Sequence, residues 1–314
     1  MDRAAAREAP VDFDARLRDR VLSLKQERRA IILAHNYQLG EVQDVADFVG
    51  DSLELSQRAA QADAEVIVFC GVLFMAETAS ILCPDKTVLL PDLHAGCAMA
   101  DMITADALCE MKREHPGAIV VCYVNSSAEV KAESDICCTS ANALRLVSGI
   151  SADREIIFVP DQYLGHYVFT RTGRTMLLWP GYCPTHARIR AEDIARLRQG
   201  HPAAAVVVHP ECRPEVIALA DEVLSTGGMC RFAREAEAQE IIVGTELGIL
   251  HRLRKENPGT RFYPVSEQAV CPWMKLITLD TIILALEDMA PEVRVPEDIR
   301  VRASAAVQRM LEAV

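Results

Sequence analysis

A threefold repeat of about 87 residues constrains this chain more than any other feature. In each copy an apolar run ends at His35, Tyr123 or His209, so that the copies begin 88 and 86 residues apart. The positions 6, 7, 12 and 17 residues further on hold Glu41, Val42, Asp47 and Ser52 in the first copy, Glu129, Val130, Asp135 and Ser140 in the second, and Glu215, Val216, Asp221 and Thr226 in the third. Five aligned positions in three copies indicate one structural unit used three times.

Each copy alternates short apolar runs with helical patterns. Runs such as 31–34, 118–122 and 204–208 are apolar throughout, which predicts buried strands of parallel sheets covered on both faces by helices. We therefore expect an α/β fold built from three similar domains. The first copy lacks a leading strand and helix, whereas a spare strand–helix pair lies at 260–286. The predicted domains are accordingly 1–85 completed by 259–314, then 86–173, and then 174–258.

Composition and charge exclude several classes of protein. The 314 residues carry a formal net charge of −12, which argues against general binding to nucleic acid or a membrane surface but permits a small anionic substrate. No apolar run approaches the roughly 20 residues of a membrane span, and the charged start of the chain does not have the pattern of a signal peptide. The eleven cysteines therefore favour metal binding, catalysis or burial over disulfides. We expect a cytoplasmic location.

Three of the cysteines occupy one repeated position. Cys97, Cys183 and Cys271 each follow a predicted strand and precede a helix, at spacings of 86 and 88 residues. Ligands gather at the carboxyl ends of strands in open α/β sheets, and a helix N-terminus there is expected to favour the thiolate. Three such thiolates bind zinc or an iron–sulfur cluster, and their spacing alone does not choose between the metals. We expect the other eight cysteines to be small buried apolar residues.

The three hydroxyl residues of the repeat, Ser52, Ser140 and Thr226, each precede a predicted helix. Their ordinary role is N-capping, which stabilises a helix by about 1 kcal/mol, and either Asp51 or Ser52 is the predicted cap of the first of these helices. Three helix N-termini at one cavity would also form three anion sites. The second interpretation indicates substrates with several anionic groups, and the sequence leaves both interpretations open.

Polar residues follow the first apolar run of each copy. The residue that ends each run and the residue two positions beyond it are polar. These pairs are His35 and Tyr37, Tyr123 and Asn125, and His209 and Glu211. A lone histidine at such a place is more often structural, but the equivalence of these positions favours a functional site. Glu211 is the only carboxylate among the six, so we expect it to act as the acid or base.

Longer motifs identify a family. These motifs are LAHNYQ (33–38), GDSLELS (50–56), PDLHAGCAMAD (91–101), YVNSSAEVKAESD (123–135), CTSANA (138–143), GYCPTH (181–186), HPEC (209–212), GTELGILHRL (244–253) and CPWMK (271–275). In these motifs the chain resembles the quinolinate synthases, iron–sulfur enzymes of de novo NAD biosynthesis, from about residue 30 to 290. Together these motifs are far more specific than a single short one.

The resemblance implies pseudo-threefold symmetry between the three α/β domains and an active site at their junction. It also implies a [4Fe–4S] cluster held by Cys97, Cys183 and Cys271, with one open iron that acts as a Lewis acid. The implied reaction joins iminoaspartate to dihydroxyacetone phosphate and gives quinolinate, phosphate and water. An aspartate oxidase or dehydrogenase that supplies iminoaspartate is the implied functional partner.

The resemblance also implies roles for individual residues. The substrate-binding residues would be His35, Ser52, Tyr123, Asn125, Ser140, His209, Glu211 and Thr226. The catalytic residues would be Glu211, Tyr37, Tyr123 and His186. Some longer family members carry a CxxCxxC pattern at the last ligand, but Pro272, Trp273 and Met274 follow Cys271 here, so no disulfide switch of that kind is expected.

Two other classes of function fit the same cysteines. A thiolate–zinc hydrolase or lyase would use them to hold a metal-bound water. A redox or metabolite sensor would use a cluster or the thiols without turnover. Metal analysis distinguishes the first from the cluster enzyme, and turnover of the two substrates distinguishes the second.

Overall fold

Three parallel four-stranded sheets form the frame of the molecule. The structure, a computed structural model, describes residues 13–313, so the segment 1–12 of the first predicted domain lies outside the described residues. Every pair of neighbouring strands within the sheets is parallel. The predicted α/β fold with three similar units is confirmed.

The elements follow one another in the same order in each unit. The first unit contains α1 (Phe13–Glu27), β1 (Ala30–His35), α2 (Gly40–Val45), β2 (Phe48–Gly50), α3 (Ser52–Gln61), β3 (Val66–Cys70), α4 (Leu73–Leu82) and β4 (Thr87–Leu89). The second contains α5 (Ala105–Glu114), β5 (Ile119–Tyr123), α6 (Ala128–Ala132), β6 (Ile136–Cys138), α7 (Ala143–Gly149), β7 (Ile156–Val159), α8 (Gln162–Thr172) and β8 (Leu177–Leu178). The third contains α9 (Ala191–Gly200), β9 (Ala205–Val208), α10 (Pro214–Ile217), β10 (Glu222–Val223), α11 (Thr226–Glu235), β11 (Glu240–Gly244), α12 (Ile249–Glu256) and β12 (Arg261–Pro264). The chain continues with α13 (Leu279–Asp288) and α14 (Glu297–Glu312).

The strand order is second, first, third, fourth in every sheet. The order therefore reverses between the first and third strands, which is where open α/β sheets bind ligands beyond the carboxyl ends of their strands. Strands β3 and β7 are buried along their whole length, as expected for parallel sheets covered on both faces. Among residues 13–313, no helix combines the length and apolar character needed to cross a membrane.

The predicted domain boundaries separate the fourth strand from its sheet in each unit. Strand β4 pairs with β3, β8 with β7, and β12 with β11, whereas boundaries at 85, 173 and 258 assigned these strands to the next domain. The prediction that the strand at 260–265 completes the first sheet was therefore wrong. Each fourth strand follows the third through a single helix, and such consecutive elements pair as neighbours. The segment 259–314 does return to the first unit, but through α13, which packs against α1 and β3.

The repeated aspartate has the same structural role in every unit. Asp47, Asp135 and Asp221 each accept the backbone N–H of a residue in the first strand through Oδ2, with N–O distances of 2.8, 2.8 and 2.7 Å. The backbone N–H of the same aspartate donates to the carbonyl of that strand residue. The repeated valines before it are fully buried. This pair of hydrogen bonds fixes the connection between the first and second strands, and with it the position of the residues that follow the first strand.

Candidate active site

All thirteen predicted site residues line one cavity at the junction of the three units. They are Cys97, Cys183, Cys271, His35, Tyr37, Ser52, Tyr123, Asn125, Ser140, His186, His209, Glu211 and Thr226. They come from the carboxyl ends of first strands, from the starts of helices and from the loops after fourth strands. The residues predicted for the site therefore lie together, and their assignment to binding, catalysis or a metal stays a prediction.

The three cysteine loops are built alike. Each cysteine lies in the connection that leaves one sheet, and the next full helix begins eight residues later, at Ala105, Ala191 and Leu279. The carbonyl two residues before each cysteine accepts a backbone hydrogen bond from the start of the helix after the third strand. These bonds are Leu73 N–Ala95 O at 2.7 Å, Gln162 N–Gly181 O at 2.9 Å and Leu247 N–Ala269 O at 3.0 Å. The repeat thus places three equivalent thiols at one junction.

Burial dominates the chemistry of the three thiols. It raises the pKa of Cys97 to about 12 and raises the pKa values of Cys183 and Cys271 as well. Backbone N–H groups at the start of the following 3₁₀ helix, among them those of Ala100 and Met274, hydrogen-bond to the sulfurs and lower the pKa by less. The helix N-terminus therefore favours the thiolate as predicted, but in the thiols on their own desolvation outweighs these donors.

The same three loops nevertheless suit a metal centre. All three thiols line the same cavity, and each has backbone donors directed at its sulfur. Coordination to a metal deprotonates a thiol, and the N–H donors then stabilise the thiolate. Of the other eight cysteines, seven are buried, and the eighth, Cys109, is half-buried on α5.

Two histidines face the cavity as neutral hydrogen-bond donors. His35 Nδ1 accepts the backbone N–H of Tyr37 at 3.2 Å, and His209 Nδ1 accepts that of Glu211 at 3.4 Å. An accepting Nδ1 places the proton on Nε2 in both rings. Burial lowers the pKa of His35 to about 3, with a further contribution from His209, and burial also lowers the pKa of His209 to about 3.

Glu211 is the central acceptor of the cavity. Its Oε1 accepts the Tyr123 hydroxyl at 2.5 Å and the Asn125 amide at 3.4 Å, while its Oε2 lies 2.7 Å from His186 Nδ1. Burial alone would raise the pKa of Glu211, but its interactions with His186, His209 and Tyr123, including two hydrogen bonds, lower the pKa by more, so that it falls below its usual range. The carboxylate is consequently ionised at neutral pH. Burial and the Glu211 charge raise the pKa of Tyr123 well above 10, so the phenol keeps its proton.

A chain of hydrogen bonds leads from Glu211 to Tyr37. His186 Nε2 lies 2.8 Å from Thr245 Oγ1, which lies 2.5 Å from the Tyr37 hydroxyl. When His186 donates its Nδ1 proton to Glu211, its Nε2 is an acceptor for the Thr245 hydroxyl. Thr245 can then accept the proton of Tyr37. Sequence reasoning missed Thr245, although it lies directly after β11 in the matching motif GTELGILHRL.

The three hydroxyl residues line the cavity, but none of them caps its helix. Asp51 caps α3 and accepts the N–H groups of Leu53 and Glu54 at 3.1 and 3.0 Å. Ser225 caps α11, and α7 begins after Asn142, which gives it no side-chain cap. The capping interpretation of Ser52, Ser140 and Thr226 was therefore wrong, because each hydroxyl is displaced from the cap position by one or two residues.

One carboxylate partly neutralises the positive partial charge at the N-termini of α3 and α11. Asp51 receives the first free amides of α3, and its Oδ2 also accepts the Ser225 hydroxyl at 3.0 Å. A Cβ at Gly227 would lie 2.7 Å from the same oxygen, so only glycine lets α11 approach this closely. The predicted anion sites must therefore depend on the hydroxyls of Ser52 and Thr226 more than on the helix ends.

Asn125 leaves one polar atom in the cavity without a partner. Its Nδ2 donates to Glu211, but its Oδ1 is buried and has no hydrogen bond among residues 13–313. A buried carbonyl oxygen without a partner costs about 1–3 kcal/mol. The cavity therefore offers an acceptor to an N–H or O–H group of a ligand.

Two buried carboxylates beside the cavity were also missed. Both Asp161 and Glu246 lie two residues beyond a third strand, so applying the repeat to the third strands would have found them. Glu246 lines the cavity, accepts the N–H of Cys271 at 3.0 Å and pairs with Lys275 Nζ at 2.9 Å. Burial and the Glu211 charge raise the pKa of Asp161 well above its usual range. Glu246 thus stabilises the loop of Cys271, in addition to the backbone hydrogen bond that all three cysteine loops have.

The comparisons with known proteins agree with this geometry. The family model of the quinolinate synthetase A protein matches residues 19–312. This chain belongs to the quinolinate synthetase A family. The resemblance predicted from the motifs is confirmed, and family membership makes the chain an enzyme.

Relatives named quinolinate synthase match almost the whole chain. One from Dehalococcoides mccartyi strain CBDB1 is 63% identical over 295 residues, covering 94% of this chain and 97% of the relative. One from Thermodesulfovibrio yellowstonii is 56% identical over 294 residues, covering 93% and 97%. One from Methanosarcina barkeri is 53% identical over 297 residues, covering 95% and 97%.

Proposed function

We propose that this enzyme is a quinolinate synthase of de novo NAD biosynthesis. It joins iminoaspartate to dihydroxyacetone phosphate and releases quinolinate, phosphate and water. The observation that carries the proposal is the meeting of three equivalent cysteine loops with the Glu211 hydrogen bonds in one cavity of a chain from this family. The reaction has no net redox change, so it needs proton transfers and a Lewis acid.

Cys97, Cys183 and Cys271 are the proposed ligands of a [4Fe–4S] cluster. Their fit rests on the position of the three thiols at one cavity, on the construction that their loops share and on the backbone N–H donors at each sulfur. A cluster with three cysteine ligands supplies an iron with one open position, which acts as a Lewis acid on a substrate oxygen or nitrogen.

A zinc enzyme is the second candidate, because Cys183, His186 and Glu211 offer ligand atoms within 4.8 Å of one another. Their proximity has another explanation, since His186 Nδ1 lies 2.7 Å from Glu211 Oε2 and 3.1 Å from Cys183 Sγ, as hydrogen bonds require. The three cysteine loops also share one construction, and a zinc site at Cys183, His186 and Glu211 would involve only one of these loops. We therefore favour the cluster.

The side chains of the cavity divide the remaining work. Glu211 is ionised at neutral pH and is the proposed base, which takes a proton from the substrate at its carboxylate and returns it during dehydration. Tyr123 holds that carboxylate in place through its hydroxyl. The hydrogen bonds through His186 and Thr245 let a proton pass between Glu211 and the hydroxyl of Tyr37.

Other groups of the cavity are proposed to bind and orient the substrates. The Nε2–H groups of His35 and His209 donate to substrate oxygens, and Asn125 Oδ1 accepts an N–H of iminoaspartate or an O–H of dihydroxyacetone phosphate. Ser52, Ser140 and Thr226 are the proposed donors to the two carboxylates and the phosphate. Hydrogen bonds to charged groups are stronger than those to neutral ones.

We also propose a cytoplasmic location and functional coupling to an aspartate oxidase or dehydrogenase. All eleven cysteines are free thiols, which suits a reducing compartment. The substrate iminoaspartate is an imine that hydrolyses in water, so an enzyme that produces it nearby would increase the yield.

One anaerobic preparation tests the proposed function. We expect about four irons and four sulfides per chain, and quinolinate formation when both substrates are supplied. Zinc in place of iron would favour the hydrolase or lyase. A full cluster without quinolinate formation would favour a sensor.

A further inference from the structure

Two residues of the matching motifs lie just behind the cavity wall. Asn36 is fully buried between Thr226 and Arg252, a residue of α12. Its Nδ2 lies 2.9 Å from Thr226 Oγ1, and its Oδ1 lies 2.9 Å from Arg252 Nη1. Asn36 thus connects a charged side chain to one of the three hydroxyls that face the ligand.

The chemistry of the arginine fixes the direction of this connection. A guanidinium group has only donors, so the oxygen of the Asn36 amide must face Arg252. The NH₂ group of Asn36 must then face Thr226, whose oxygen accepts its hydrogen bond. A reversed amide would direct N–H groups of Asn36 and Arg252 at each other.

Arg252 is itself held in position. Its Nη1 also donates to the Val49 carbonyl at 2.7 Å, and its Nε donates to Glu256 Oε1 at 2.7 Å. The side chain therefore cannot turn away from Asn36 without losing two further hydrogen bonds. The orientation of the Asn36 amide is set before any ligand arrives.

We propose that Arg252 and Asn36 are positioning residues that make the Thr226 hydroxyl a donor toward an ionised carboxylate or phosphate of the ligand. Because the Thr226 oxygen already accepts from Asn36, the proton of the hydroxyl is left to point into the cavity that Thr226 lines. Within residues 13–313, the side-chain hydroxyls of Ser52 and Ser140 have no such partner and can donate or accept. The inference rests on the proposed function for the identity of the ligand.

The variant Asn36→Asp separates positioning from support of the fold. It keeps the shape of the side chain and strengthens the contact with Arg252, but it replaces the donor to Thr226 with an acceptor. The Thr226 proton is then drawn to the new carboxylate, and the added charge faces the anion. We expect the Kd for quinolinate to rise at least about 10-fold, with unchanged iron content and thermal stability. Asn36→Asp combined with Thr226→Val should bind no more weakly than Asn36→Asp alone.

A matched pair of arginine variants provides a second test of the proposal. Arg252→Lys keeps the charge but loses the planar fork that orients Asn36, so quinolinate binding should weaken about 3- to 10-fold. Arg254→Lys changes a neighbouring residue of the same helix and should leave binding unaltered.

The titrations use cluster-loaded protein with quinolinate and, separately, with inorganic phosphate. Unchanged affinity of Asn36→Asp for both anions would overturn the inference. Failure of the wild type to bind quinolinate would instead overturn the proposed function, and the phosphate titrations would then decide the inference alone. A wild type that binds neither anion would overturn both.

Discussion

The two ends of the cavity follow the repeat to different degrees. At the cysteine end, the three loops share the same residue, the same backbone hydrogen bond and the same distance to the next helix. At the strand end, equivalent backbone positions hold different side chains, since Tyr37, Asn125 and Glu211 occupy one place in the repeat. Three equal ligands suit a group that is held from three sides. Different side chains suit substrates whose functional groups differ.

The cysteine end should respond equally to the loss of any one ligand. Cys97→Ala, Cys183→Ala and Cys271→Ala are each expected to lose the proposed cluster and all measurable activity, because each removes one of only three proposed ligands. Iron and sulfide analysis after anaerobic preparation measures the effect. Cys109→Ala and Cys230→Ala are controls at a half-buried and a buried thiol. A Cys183→Ala protein with its full iron content would contradict the equivalence.

The strand end should respond very unequally, with the largest effect at Glu211. Glu211→Gln keeps the shape of the side chain but cannot take up a proton, so turnover should fall about 10²- to 10⁴-fold. The iron content should not change, because Glu211 is not a proposed ligand. Anaerobic steady-state assays beside iron analysis measure both quantities, and turnover near that of the wild type would remove Glu211 from the role of base.

The residues that meet at the cavity could be predicted from the sequence where the repeat is kept, and less well where it is broken. Cys97, Cys183 and Cys271 could be found because one spacing relates all three. Thr245 and Glu246 were missed because they follow a third strand, whereas the repeated polar residues in the sequence follow first and fourth strands. The strand at 260–265 was misassigned because apolar patterns show that a strand exists but do not show which neighbour it pairs with.

The helix caps show a second limit of sequence reasoning. A hydroxyl before an apolar helical pattern predicts a cap, but Asp51 and Ser225 are equally good caps one residue earlier. Boundaries of elements are uncertain by more than one residue from sequence alone. The side chain that caps and the side chain that faces the ligand could therefore be told apart only in the structure.

The three hydroxyls provide a smaller test of the comparison. Ser52→Ala, Ser140→Ala and Thr226→Val should each weaken quinolinate binding about 10- to 100-fold. Within this range the effect should be largest for Thr226, whose oxygen already accepts from Asn36, and smallest for Ser52, which follows the Asp51 carboxylate. Thermal stability should hardly change, because none of the three is a cap. Loss of stability with unaltered affinity would restore the capping interpretation.

The two strand-end histidines should make the fold sensitive to acid. Their pKa values are lowered to about 3 in the folded protein, whereas an unfolded histidine titrates near 6.5. Between these values the unfolded chain binds more protons, so the free energy of unfolding should fall as the pH decreases from about 6.5. Each histidine can lower the free energy of unfolding by at most roughly 1.4 kcal/mol per pH unit.

Urea unfolding of the metal-free protein at several pH values measures this dependence. The variant His209→Asn should have a shallower decrease of stability with decreasing pH than the wild type. Equal slopes in the two proteins would show that His209 is protonated in the folded state.

The main proposal is that Cys97, Cys183 and Cys271 would hold a four-iron cluster and leave one iron open to a ligand. A Mössbauer spectrum of protein loaded with isotopically labelled iron, recorded with and without quinolinate, tests it most directly. We expect about four irons per chain, of which one changes its signal when quinolinate binds while the other three keep theirs. A spectrum in which quinolinate changes no iron, or all of them equally, would rule out a single open iron at the ligand site.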